Sequence, residues 1–127
     1  MCMRINESVT SLSKRTVWKV FDKDSGAIRS LFECAEYPKR KLVVRSEGPT
    51  HVSDDDDLYG GHRRSRHGLY FYTSKAAALE EAKRWGGSYI AKFEVDPRDF
   101  LHASEDGDRA TYERAKRVGN YIRVRDE

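Results

Sequence analysis

Gly68-Leu69-Tyr70-Phe71-Tyr72-Thr73-Ser74-Lys75-Ala76-Ala77-Ala78-Leu79-Glu80-Glu81-Ala82-Lys83-Arg84-Trp85-Gly86-Gly87 contains every local signal of a strand, a cap, a helix and a stop. The aromatic run favours an extended backbone. The Ser74 hydroxyl is suited to accept from free N–H groups of the first helical turn, and the glycine pair terminates the helix. Ala78, Leu79, Ala82 and Trp85 fall on one helical face, which predicts Leu79 and Trp85 buried with Val20, Phe71 and Phe93 as neighbours. Past the stop, Tyr89, Ala91, Phe93 and Val95 alternate with Ile90, Lys92 and Glu94, the period of a strand, until Pro97 ends it. The spacing does not say whether the two strands flanking the helix are direct neighbours.

Working outward, residues 1–15 are polar and aperiodic and read as a flexible arm, leaving 16–127 as one domain. Thr16–Phe21 is β-branched and aromatic, Asp22–Gly26 reads as a turn, and Ala27–Glu33 returns. With Lys41–Arg45 these segments predict a three-stranded antiparallel meander. Residues 109–118 fit either one or two helical turns or a strand, and Tyr121–Arg125 alternates as a last strand. The expected fold is therefore α+β: a mostly antiparallel sheet of five or six strands with one main helix, about 75–85, packed on one face.

The chain has 127 residues, enough for one core without metal or disulfide support, and 35% of them are charged. Cys2 and Cys34 make neither a disulfide framework nor a metal spacing, so a reducing, cytoplasmic setting is expected. No run approaches a membrane span and the N-terminal residues lack a signal-peptide core, so no membrane partner is expected. Phosphate-binding, dinucleotide-binding, nucleophile-elbow and zinc-protease motifs are absent. His51, His62, His67 and Asp54–Asp57 match no ligand spacing, so neither a metal nor a cofactor is expected.

The formal net charge is +3. The charge is concentrated in two places. In the long loop 46–67, Arg63, Arg64, Arg66 and His67 follow a glycine pair. Near the C-terminal end, six Lys/Arg face one acid between Arg109 and Arg125. Guanidinium forks match phosphate oxygens, so Arg63, Arg64, Arg66, His67, Arg114, Lys116, Arg117 and Arg123 are the candidate binding residues, toward nucleic acid, a nucleotide or an acidic protein face. The sheet order would have to bring both segments to one edge. The loop's acidic run Asp54–Asp57 offers a second reading, a self-neutralising connection. Oligomeric state is not legible from these features.

Two resemblances bear on function. Val17–Phe21, Gly26–Phe32, the bend Tyr37-Pro38-Lys39-Arg40-Lys41 and the Gly68–Thr73 strand with Ala78 and Ala82 resemble, over residues 16 to 124, small proteins carried by phages and prophages. That resemblance implies a phage–host conflict in the host cytoplasm, in which an anti-CRISPR or other anti-defence protein inhibits a host defence protein or nucleoprotein complex by binding it. Gly68, Tyr70, Phe71, Thr73, Ser74, Ala78 and Ala82 also resemble the core of ADP-ribosyltransferases. This second resemblance implies NAD as cofactor and a site drawn from Arg29, Tyr70, Ser74 and Glu94, with Glu113 as the other possible acid. Thr16–Phe21 offers no Arg or His of the kind that holds NAD on the first core strand of those enzymes.

Overall fold

The computed structural model describes residues 3–31, 35–44 and 68–127, together with the backbone of 52–55 and 62–65. In chain order its strands begin with β1 (Met3–Arg4), β2 (Thr16–Asp24), β3 (Ala27–Ser30), β4 (Leu42–Val44), β5 (Val52–Asp55), β6 (His62–Ser65) and β7 (Leu69–Tyr72). Then come the helix α1 (Lys75–Trp85) and β8 (Tyr89–Glu94), β9 (Phe100–Ala103), β10 (Arg109–Tyr112), β11 (Arg114–Arg117) and β12 (Ile122–Arg123). The class is α+β as expected, but the main sheet has nine strands rather than five or six, in the order β4-β11-β8-β2-β7-β10-β9, with β3 on β2 and β12 on β8. The extra strands are short pieces whose own sequence alternates weakly. Residues 109–118, ambiguous in isolation, form the two strands β10 and β11.

The helix signals act as read, and the hairpin turn is shorter than expected. Ser74 caps α1, its Oγ accepting from the Ala77 N–H at 3.1 Å, and Gly86 closes the helix in the left-handed region at φ 78°. The expected β2–β3 hairpin forms, but its turn is only Ser25 and Gly26, both at positive φ, and Asp22–Asp24, expected in the turn, extend β2. Strands β7 and β8 are not neighbours. Each is antiparallel to β2, which lies between them, so they are mutually parallel and α1 crosses over β2. The expected meander does not form, because β4 pairs with β11, about seventy residues on in the chain, instead of with β3.

Alternation along the central strands divides the core between the two faces. Val17 and Phe21 of β2, Leu69 and Phe71 of β7, Ala91 and Phe93 of β8 and Tyr112 of β10 build an aromatic face together with Tyr37. Val20, Tyr72 and Ile90 point the other way, toward Ala78, Ala82 and Val124. Phe71 and Phe93 therefore lie on the face away from the helix, contrary to their expected role as helix neighbours.

Leu79 is partly buried, and Trp85 is 58% exposed. The reason is clearance. Ala78 and Ala82 let the helix lie close to the sheet, and its exit is so tight that a Cβ on Gly87 would come within 2.4 Å of Val20 Cγ1. An indole has no room there, and Trp85 instead lies along the helix with Nε1 donating to Glu81 at 2.7 Å.

The N-terminal residues, expected as an arm, are built into the fold. Met3 and Ile5 are buried, Ile5 bridges Ser104, and the Asn6 N–H donates to the Ala103 carbonyl at 2.9 Å along the outer edge of β9. From there β1 enters a second sheet, β1-β6-β5, whose strands β5 and β6 come from the long charged segment 46–67.

Candidate functional site

The last turn of α1, the chain leaving it and the C-terminal residues enclose an open groove of about 650 Å³ lined by Lys83, Ser88, Tyr89, Arg123, Val124, Arg125 and Glu127. Its position follows from local chemistry. Gly87 turns the chain back onto the sheet, β12 pairs Arg123 with Tyr89, and the Val124 N–H donates to the Ser88 carbonyl at 2.9 Å. The buried Val124 side chain anchors the C-terminal turn beneath the helix. This leaves Lys83, Arg123 and Arg125 on the rim. Glu127 is the one acid among the lining residues, and its carboxylate is held by Lys75 at 3.0 Å. Among the described residues Arg125 has only a long, exposed contact to Asp126 at 3.9 Å. The groove is thus net cationic, and Ser88, whose Oγ donates to Asp22 at 2.6 Å, and Tyr89 add polar and aromatic surface. Such an arrangement holds an anion by charge and forked hydrogen bonds.

The candidate binding residues separate. Arg123 stands in this groove. Arg114 and Lys116 line a second groove with Arg15, Glu94, Asp96 and Asp99. There the charges largely pair off: Arg114 with Asp99 at 2.7 Å, and Arg98 with Asp96 at 2.7 Å, a contact that holds the Asp96 carboxyl down at about 2.

Arg117, expected to bind, is buried instead. Its Nε donates to the Tyr37 carbonyl at 2.7 Å and its Nη1 to the Gly119 carbonyl at 2.6 Å, and the guanidinium lies 4.2 Å from the Tyr121 ring. A guanidinium so engaged braces the loops over the aromatic face. Arg63 and Arg64 lie on β6 with only their backbone described, and Arg66 and His67 lie outside the described residues.

Nor does the sheet bring the two basic segments to one edge. β11 is next to the β4 edge, whereas β6 pairs with β1, which leads to β9 at the opposite edge. Five strand spacings separate β11 from β9, roughly 24 Å along the sheet. Lys83 and Arg125 belong to the groove although neither was singled out. The available signals were the run of cations toward the C-terminal end and the cations Lys83 and Arg84 in the last helical turn, which also suit the negative end of the helix dipole.

The residues implied by the transferase resemblance do not converge. Arg29 pairs in register with Asp22 near one end of β2, and Glu94 with Thr16 at the other, six residues or about 20 Å away. Ser74 is occupied as the helix cap, and Tyr70 is buried. Among the described residues no group of three or more His, Cys, Asp or Glu is placed to hold a metal ion, and no helix is long and apolar enough to cross a membrane. No protein-family model matches the chain, and neither a curated protein nor a solved structure matches it.

Proposed function

We propose that this chain is a small binding protein that engages a nucleoprotein through phosphate contacts in the cationic groove. The phage–host setting implied by its resemblance makes the partner a component of host defence, and the outcome inhibition by occlusion. One observation carries the reading: Lys83, Arg123 and Arg125 converge on a groove whose single acid is already tied to Lys75. A phosphate group suits such a rim because it carries more negative charge and more oxygens than a carboxylate, so several cations can share one group. The reading requires no chemistry on the ligand, and it is favoured over the transferase reading by the separate positions of Arg29, Tyr70, Ser74 and Glu94.

Fluorescence anisotropy with labelled duplex and single-stranded oligonucleotides tests the contact. Log affinity is expected to fall linearly with log salt, and replacing Lys83, Arg123 and Arg125 together with alanine to flatten the slope by about 2–3 units on duplex. An unchanged slope in the folded triple variant would place the contact elsewhere. Capture from host extract by the wild-type chain, lost with the same variant, identifies the nucleoprotein.

A further inference from the structure

The β4 edge of the main sheet has a different character from the groove. Its outer residues Leu42 and Val44 are 52% and 47% exposed, and apart from Trp85 they are the large apolar side chains most open to solvent among the described residues. Being two apart, they lie on one face of the strand, with Val43 turned the other way onto the aromatic core.

Backbone polarity at this edge follows from the neighbouring strands. The Arg117 carbonyl accepts from the Arg40 N–H at 2.7 Å, on the β4 side of β11. On the other side, the Lys92 carbonyl accepts from the Val118 N–H at 3.0 Å, toward β8. Peptide groups alternate along a strand, so Ala115 faces β4 and bonds with Val43, its register partner. Leu42 and Val44 then aim their own N–H and C=O groups outward, where no described residue meets them.

The charge around this edge is cationic on the same face. Lys116 stands opposite Leu42 and Arg114 opposite Val44, Lys39-Arg40-Lys41 leads into the strand, and Glu94, the partner of Lys116 on β8, offsets part of this charge from the side away from the edge. Asp99 neutralises Arg114, while Lys116 makes no ion pair among the described residues. A second copy of this chain pairing antiparallel about Val43 would set two strands flanked by cations side by side, with no carboxylate between their apolar residues to offset the charge. The same cations attract a strand with carboxylates between its apolar residues.

We propose that the β4 edge is a docking site for an extended, acidic segment of a partner protein, added to the sheet as a further strand. The outward backbone groups of Leu42 and Val44 supply the ladder, the two apolar side chains supply contact area, and Lys116 selects for acid. This surface is separate from the cationic groove, and its test is independent of nucleic-acid binding.

The probe is a capped synthetic peptide of alternating glutamate and valine, titrated into the full-length ¹⁵N-labelled chain. The amides of Leu42 and Val44 are expected to shift and to become protected from hydrogen exchange, with smaller shifts at Arg114–Lys116. A matched peptide of alternating lysine and valine is expected to leave them unmoved. Lys116→Glu should weaken the glutamate peptide by about three- to tenfold, the range of a reversed surface pair. Val44→Pro should abolish binding by removing an outward donor, and the rest of the spectrum reports that the fold survives. The proposal is overturned by no response to the glutamate peptide, by equal responses to both peptides, or by shifts centred on the groove at Arg123. It is also overturned if the Leu42–Val44 amides shift with protein concentration in the absence of peptide, which would make a second copy the occupant.

Discussion

The two faces of the nine-stranded sheet are covered by different means. On one, the helix presents Ala78 and Ala82 to Val20 and Ile90, a contact made of small side chains at close range. On the other, no helix is present among the described residues, and the cover is a cluster of rings: Phe93 lies 5.0 Å from Phe71, 5.3 Å from Tyr37 and 6.1 Å from Phe21. Ring packing buries more area per residue and tolerates cations. Lys19, on this face, is 5% exposed, its Nζ donating to the Tyr70 carbonyl at 2.5 Å and lying 4.8 Å from the Phe71 centroid. The helix reads most clearly in the sequence, yet the opposite face holds the larger share of the core.

That contrast makes Phe93→Ala the most damaging substitution, with a loss of about 3–5 kcal/mol in denaturant-melt stability from lost transfer energy plus a cavity among three rings. A loss no larger than that of Leu79→Ala, which is expected near 1 kcal/mol because Leu79 is only partly buried, would break the comparison.

Alkaline titration samples both faces at once. Burial pushes the hydroxyls of Tyr72, on the helix face, and Tyr112, on the aromatic face, up to about 12, with Glu81 adding to the rise at Tyr72. Their folded values exceed the unfolded value of about 10, so their contribution to stability is complete below pH 10 and is lost as pH rises through 12. Absorbance of phenolate is expected to show Tyr72 and Tyr112 resisting ionisation until the chain unfolds. Tyr112→Phe should remove one of them without loss of stability, since its hydroxyl is buried with no hydrogen-bond partner among the described residues.

Clearance under the helix is sharpened by Gly87→Ala. Its new methyl meets Val20 in the tight exit and should cost about 1–3 kcal/mol, comparable to overpacking a core. Trp85→Ala is expected to change stability by less than about 0.5 kcal/mol, because the exposed indole contributes little to either face. A large loss there would mean that the helix seats on its tryptophan and not on its alanines.

The candidate site was legible only in part. The surplus of cations near the C-terminal end pointed to a cationic surface, and Arg123 lines the groove proposed to bind an anion. Charge counting treats all arginines alike, however, and has no means of telling that Arg117 is spent on the Tyr37 and Gly119 carbonyls or that Arg114 is paired with Asp99. Lys83 enters the groove because the helix end lies beside the C-terminal turn, a proximity between residues forty positions apart.

By itself the sequence determined the α+β class, the boundaries of the helix and the β2–β3 hairpin. Each depends on interactions between residues a few positions apart: a serine cap, a left-handed glycine, a glycine-containing turn and alternation within one strand. Tertiary structure alone decided that β2 lies between β7 and β8, that β4 joins β11, that Met3 and Ile5 are core residues and that Trp85 is outside. Those outcomes depend on which distant strands offer complementary edges and how closely a helix can approach a sheet. Short strands carry too little pattern to encode either, because their stability comes from partners brought in from elsewhere in the chain.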